Sequence, residues 1–110
     1  MPYSEDLAER VREVLAGRDG VNERSMFGGV GFMVNGNMAV GVIGDELVVR
    51  LSIAEAERAL SEPGVREFDF TGRKMKGWLF VSGPAIAAED EVEDWVDAGA
   101  GYAASLPPKS

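Results

Sequence analysis

The densest group of side chains able to bind a charged ligand is a basic run in the second half of the chain. Arg73, Lys74 and Lys76 lie close together, and the aromatic Trp78 follows them. Cationic groups beside an indole ring could clamp an anion or stack on a base. We favour a charged hairpin tip over a binding loop, because a single loop offers few phosphate contacts.

Other charged residues give less specific signals. Arg24 could add a cation to such a site, or pair with a nearby carboxylate in a surface interaction worth ~0–1 kcal/mol. Carboxylates are dense from Glu89 to Asp97, but their spacing is typical of the solvated face of an amphipathic helix. General acid or base catalysis needs a carboxylate in a desolvated pocket, and no feature of the sequence marks one.

The composition removes several common catalytic designs. The chain contains no cysteine and no histidine, which excludes a disulfide scaffold, a thiolate nucleophile and a cysteine-ligated metal site. Its serines have no histidine partner and no Gly-x-Ser-x-Gly context. We therefore predict that the protein is not an enzyme and has no catalytic residue, metal site or cofactor.

A glycine-rich run at residues 28–31 could let the backbone approach a phosphate. A dinucleotide fingerprint would need a further glycine where Val34 stands, and a phosphate loop would need a Lys-Ser/Thr pair and a helix. We favour glycines that make room for Val40 and Val42 across a hairpin.

Length and charge limit the partners that the chain can have. Its 110 residues predict one domain over 1–110, able to bury roughly 65% of the surface of the unfolded chain. Eleven Lys and Arg against nineteen Asp and Glu give a net charge of −8, so we do not expect direct binding to nucleic acid. The acidic start of the chain is unlike a signal peptide, and no apolar stretch approaches the ~20 residues of a membrane span. We expect a cytoplasmic protein without a membrane partner.

The patterning predicts an α+β fold. Ser4 is a plausible N-cap for a helix that ends near Gly17, and residues 21–51 alternate as three or four strands with turns at 35–36 and 44–45. Ser52 caps a short second helix that stops before residues 63–64.

The second half of the chain completes the order helix, three or four strands, helix, two strands, helix. Residues 67–70 and 78–81 alternate as strands, joined by a polar loop over 71–77, and residues 92–106 repeat at helical spacing. We expect a central antiparallel sheet of about five to six strands with helices packed on it, and a disordered tail at 107–110.

A regular two-residue turn at 35–36 would place Phe32 opposite Ala39 and Met33 opposite Met38. In that register Met38, Val40 and Val42 face the core, while Val30, Phe32 and Val48 share the opposite face, which has no obvious cover. We predict that this second face is a contact surface for a second copy or for an unidentified protein partner. The full set of candidate residues is Arg24, Phe27, Val30, Phe32, Val48, Arg73, Lys74, Lys76 and Trp78.

Three separated motifs stand out along the chain. They read ERSMFGGVGFM at residues 23–33, FTGRKMKGW at residues 70–78 and SLPP at residues 105–108. Together they resemble the TfoX/Sxy N-terminal domain family. The likeness covers nearly the whole chain. Matches to recurrent positions of the family's motifs are Arg24, Phe27, Gly28, Gly29, Arg73, Met75, Gly77 and Trp78.

The resemblance implies a secretion-chaperone-like α+β fold and gives no established catalytic residue. Some members of the family regulate competence genes, as co-activators that work with the cyclic-AMP receptor protein, and those regulators carry a second, C-terminal helical domain. We expect a stand-alone N-terminal domain without that second domain. The function predicted is a non-enzymatic regulatory or protein-interaction domain, with homodimerisation. The alternative is a module that binds a small anionic ligand or nucleotide through the basic loop at 73–76.

Overall fold

The computed structural model describes residues 3–26, 28–70 and 72–109, with the side chains of residues 70, 73 and 74 outside that description. Over these residues the chain forms three α-helices and one six-stranded antiparallel sheet, which confirms the predicted α+β class and element order. The elements are α1 (Glu5–Leu15), β1 (Val21–Met26), β2 (Gly29–Val34), β3 (Asn37–Ile43), β4 (Glu46–Arg50), α2 (Ile53–Ala59), β5 (Val65–Phe70), β6 (Arg73–Val81) and α3 (Glu89–Ser105), with a 3₁₀ helix at Gly83–Ile86 before α3.

The first two helices begin at the predicted serine caps. Ser4 Oγ accepts a hydrogen bond from the Leu7 N–H at 3.1 Å, and Ser52 Oγ accepts one from the Glu55 N–H at 3.2 Å. These bonds satisfy backbone donors that a first helical turn leaves without partners. None of the helices in the described ranges is long and apolar enough to cross a bilayer.

The strands lie in the order β1-β2-β3-β4-β6-β5. The first four strands therefore form a meander, and the β5–β6 hairpin adds to it through β6. Between β3 and β4 the predicted register is confirmed, because Val42 pairs with Leu47 and Val40 pairs with Val49.

The β2–β3 hairpin departs from the predicted register after its first two pairs. Met33 pairs with Met38 as expected, but Phe32 then pairs with Val40, so Ala39 is an extra residue on β3. Such a β-bulge changes which side chains of the two strands share a face. The predicted pairing of Phe32 with Ala39 was wrong.

The sheet carries an apolar cluster on each of its two faces. All three helices pack their buried side chains on one face, against a cluster that includes Val30, Phe32, Val40 and Val42. The other face, called here the helix-free face, carries a second cluster of buried residues: Met33, Met38, Val48, Phe68 and Phe80. Val30 and Phe32 thus lie beneath the helices, and the prediction that they share an uncovered face with Val48 was wrong.

The polar loop predicted over residues 71–77 is shorter in the structure. β6 begins at Arg73, and Asp69 pairs with Lys74 across the β5–β6 hairpin. The left-handed Gly77, at φ 87°, accepts a hydrogen bond from the Leu51 N–H at 2.7 Å. The positions of the basic run therefore lie on a strand, and Thr71 is outside the described residues.

The segment after α3 lies against the β2–β3 turn. Asn37 Nδ2 donates to the Pro107 carbonyl oxygen at 3.0 Å, and the Lys109 N–H donates to the Asn35 carbonyl oxygen at 2.8 Å. Residues 107–109, predicted to be disordered, thus make specific contacts, while Ser110 is outside the described residues.

Candidate functional site

A concavity of about 560 Å³ opens on the helix-free face beside the β2–β3 turn. It combines charged, amide, aromatic and thioether side chains from five strands with the segment that follows α3. We call it the cationic pocket. Its lining residues are Gly20, Asn22, Arg24, Met33, Asn35, Gly36, Met38, Arg50, Trp78 and Lys109.

Arg50 is held against two aromatic rings at one side of this pocket. It pairs with Trp78 across β4 and β6, and its guanidinium carbon lies 5.2 Å from the Trp78 ring centroid. The Tyr102 ring centroid lies 5.7 Å from the same carbon. Rings fix the plane of a guanidinium but leave the N–H groups at its edge able to donate. No carboxylate of the described residues is within ion-pair distance of Arg50.

Arg24 and Lys109 bring two further cations to the pocket. Arg24 is exposed on β1 opposite Gly31, which places it on the helix-free face. Lys109 is fixed beside the pocket by its backbone bond to Asn35. Within the described ranges neither cation forms an ion pair. The pocket is therefore a local concentration of positive charge on a chain whose net charge is −8.

At the opposite side of the helix-free face, the charge of Arg66 is neutralised by Glu46. Arg66 donates two hydrogen bonds to the Glu46 carboxylate, one of them at 3.0 Å, and its guanidinium carbon lies 4.5 Å from the Phe80 ring centroid. The hydrogen bond from Arg66 lowers the pKa of Glu46 below its usual value, and burial opposes that shift. A carboxylate held ionised in this way is poorly suited to act as a general acid.

A second concavity, of about 270 Å³, lies between α2 and β6 and is called here the α2–β6 groove. Its lining is mainly apolar, with charged groups at the rim. Ile53 lies there and is 53% exposed. Among the described residues, no other large apolar side chain is exposed. The groove is lined by Ile53, Ala56, Glu57, Leu60, Glu67, Lys76, Gly77, Trp78 and Leu79.

The structure brings together some of the predicted site residues and separates others. Arg24 and Trp78 line the cationic pocket, and Lys76 and Trp78 line the α2–β6 groove. Val48 is buried in the second apolar cluster, 1% exposed. The remaining candidates are Val30 and Phe32, which lie beneath the helices, and Phe27 and the side chains of Arg73 and Lys74, which are outside the described residues.

Sequence reasoning missed Arg50, Lys109 and Ile53 as site residues. Arg50 reaches the pocket only because β4 pairs with β6, and α2 and β5 separate these strands in the sequence. Lys109 lies in a segment expected to be disordered. Ile53 follows the Ser52 cap in the first turn of a short helix. Helical periodicity could have indicated that its side chain is exposed.

Gly29 and Gly31, two of the three glycines at residues 28–31, serve close packing in β2. A Cβ at Gly31 would lie 2.6 Å from the Met26 sulfur and 3.3 Å from the Met38 sulfur. The space at Gly31 is thus used by methionines of the helix-free face, and not by Val40 as predicted. A Cβ at Gly29 would overlap the Val42 carbonyl group, so this glycine does make room for Val42. Close packing therefore accounts for Gly31 without a bound phosphate.

A family model described as the TfoX N-terminal domain matches residues 13–103, which confirms the resemblance predicted from the three motifs. The match includes all six strands and the residues Arg24, Arg50 and Trp78 of the cationic pocket. Comparison with curated proteins and with solved structures gives no match in either set.

Proposed function

Since the chain belongs to the TfoX N-terminal domain family, we propose that it is a non-enzymatic regulatory and protein-interaction domain of the competence-regulator type. We place it in the cytoplasm, and its first partner is a second copy of the same chain. The surface for this contact is the α2–β6 groove.

The exposure of Ile53 beside an apolar groove carries this proposal. A single exposed aliphatic side chain is ordinary on a protein surface. Here, however, the side chain adjoins a concavity that also presents Leu60, Leu79 and the half-buried Trp78. Removing such a side chain from water contributes about 1.5–3 kcal/mol when it becomes fully buried.

The groove has the features of a surface that can pair with itself. A two-fold contact requires the same patch to offer both a projection and a hollow, and both signs of charge. Ile53 is the projection and the groove is the hollow, while Lys76 and Glu57 supply opposite charges at the rim. In a two-fold dimer, Ile53 of each protomer would enter the groove of its partner, and Lys76 would face Glu57.

Sedimentation equilibrium of the wild-type protein and an Ile53→Asp variant tests the proposal. We expect a wild-type dimer and an Ile53→Asp monomer, because the substitution places a charge where the apolar contact forms. Ala104→Asp is the matched control, since Ala104 is exposed on α3 and does not line the groove. Circular dichroism must first verify that each variant is folded. A wild-type monomer at high concentration, or an Ile53→Asp dimer, would contradict the proposal.

The non-enzymatic part of the proposal rests on the chemistry of the available groups. The chain has no histidine or cysteine, and within residues 3–26, 28–70 and 72–109 no three acidic side chains lie together where they could hold a metal ion. The cationic pocket presents donors and an aromatic ring, which favour binding a negatively charged group over transferring protons.

A further inference from the structure

We propose that the cationic pocket binds a small oxyanion ligand with at least two negative charges, of the phosphorylated or polycarboxylate class, held by Arg24, Arg50 and Lys109. This binding site shares Trp78 with the α2–β6 groove, but its three cations lie outside the groove. It assigns a ligand to the domain in addition to the self-association proposed above.

The convergence of unpaired cations is the first argument. Arg10, Arg12, Arg18 and Arg66 each lie within 4.0 Å of a carboxylate. The pocket cations have no such partner among the described residues, and neither do Arg58 and Lys76, but the pocket cations line one hollow together. Like charges that face one hollow repel each other, and an anion between them would convert that repulsion into attraction.

The fixed plane of Arg50 is the second argument. Its guanidinium is held near the Trp78 and Tyr102 rings, so little side-chain entropy remains to be lost when a ligand binds. The donor geometry of a guanidinium matches two oxygens of one phosphate or carboxylate group. Arg50 is therefore suited to a bidentate contact, while Arg24 and Lys109 neutralise the remaining charge.

The rest of the lining fits an organic group attached to the anion. Met33 and Met38 provide an apolar surface, and the side-chain amides of Asn22 and Asn35 can donate and accept hydrogen bonds. The volume of about 560 Å³ is within the range of small-molecule sites, roughly 300–1,000 Å³. A metabolite-sized ligand fits this combination.

The electrostatics favour a small ligand over a nucleic acid. A polyphosphate chain extends past the pocket and meets a protein of net charge −8, which repels it. A compact anion meets only the local positive potential, which is strongest inside the hollow.

Isothermal titration calorimetry with pyrophosphate and with citrate as probes tests the proposal. We expect saturable binding of at least one probe to the wild-type protein. Preference for pyrophosphate would assign the phosphorylated class, and preference for citrate the polycarboxylate class. Absence of saturable binding of both probes by the folded protein would overturn the proposal.

Variants separate a specific site from a general charge effect. Arg24→Gln should weaken binding roughly 10-fold to 100-fold, because it removes one charged hydrogen-bond donor. Arg24 is exposed, so this variant should fold. Arg58→Gln removes the same charge from an exposed position of α2 outside the pocket, and should change affinity less than about twofold. Equal weakening by both variants would refute the assigned site.

Arg50→Lys examines the guanidinium itself, since it keeps the charge and loses the planar donor edge. We expect about a 10-fold loss of affinity for the preferred probe. The Ile53→Asp variant should bind that probe as tightly as the wild type. Failure of self-association and failure of anion binding are therefore separate results.

Discussion

Phe32 on β2 pairs with Val40 on β3, while the adjacent Met33 pairs with Met38, so Ala39 stands between the two pairs without a partner. This extra residue sets which side chains of the β2–β3 hairpin face the helices. Because of it, Phe32 points toward the helices and Met38 points to the helix-free face. Met33 and Met38 both line the cationic pocket on that face.

Truncation of Phe32 should destabilise the fold without changing the oligomeric state of the protein. Phe32 is 1% exposed in the cluster under the helices, and removal of a buried phenyl ring typically costs about 3–5 kcal/mol. Urea denaturation of Phe32→Ala measures this loss in the free energy of unfolding. A variant with wild-type stability and a changed oligomeric state would instead place Phe32 on a contact surface.

Two glycines of α3 should respond in opposite directions to alanine. A Cβ at Gly99 would lie 2.6 Å from the Ala39 carbonyl oxygen and 2.8 Å from Val40 Cγ1, so α3 would have to move away from β3. We expect Gly99→Ala to cost about 1–3 kcal/mol.

Gly101→Ala is the matched control on the same helix. No heavy atom lies within 4 Å of a Cβ added there, and alanine favours a helix by up to about 1 kcal/mol over glycine. Thermal unfolding of both variants should therefore show a lower Tm for Gly99→Ala and an unchanged or higher Tm for Gly101→Ala. A loss of the same size at both positions would argue against the close approach of α3 to β3.

The Glu46–Arg66 ion pair should contribute a pH-dependent part of the stability. Since the folded state lowers the pKa of Glu46, its contribution is present above the unfolded pKa of about 4.3 and is lost as pH falls through the folded pKa. The free energy of unfolding of Glu46→Gln should thus fall below that of the wild type at about pH 7, and the two should converge at an acidic pH below the folded pKa.

The size of that difference should be small, ~0–1 kcal/mol, because the Arg66 side chain is 56% exposed. Urea denaturation at both pH values measures it. Arg66→Gln should lose the same pH-dependent part, and the double variant should lose no more than either single variant. Additive losses would indicate that the two residues act independently.

The bond from Asn37 to Pro107 should control the order of the segment after α3. Asn37 is buried, and its side-chain amide donates to the Pro107 carbonyl oxygen. Asn37→Ala removes a hydrogen bond worth about 0.5–1.5 kcal/mol. Amide hydrogen exchange should become faster at Lys109 while the amides of α3 keep their protection. Unchanged exchange at Lys109 would mean that its bond to Asn35 suffices alone.

The helices and strands were predictable because their signals are local. Ser4 and Ser52 are caps that act within one helical turn. The turn at 35–36 joins two strands, β2 and β3, whose residues alternate between the two faces of the sheet. The bulge has no such signal, because Ala39 is compatible with both registers and the choice depends on packing against α3. Periodicity alone therefore assigned Val30 and Phe32 to the wrong face.

The site was predictable only in part, for a similar reason. Arg24 and Trp78 stood out by residue type and by their motifs, and both line the cationic pocket. Arg50 lies beside Trp78 because β4 pairs with β6. These two strands are separated in the sequence by α2 and β5, and no local pattern predicts their pairing.

The packing of α3 across β2, β3 and β4 also bears on how the chain folds during synthesis. The four strands of the meander are synthesised before α3 and pair with their neighbours in the sequence. Until α3 docks, Val40 and Val42 present an apolar sheet surface that can associate with other nascent chains. A delay in the docking of α3 would therefore prolong the exposure of this surface and favour aggregation over folding.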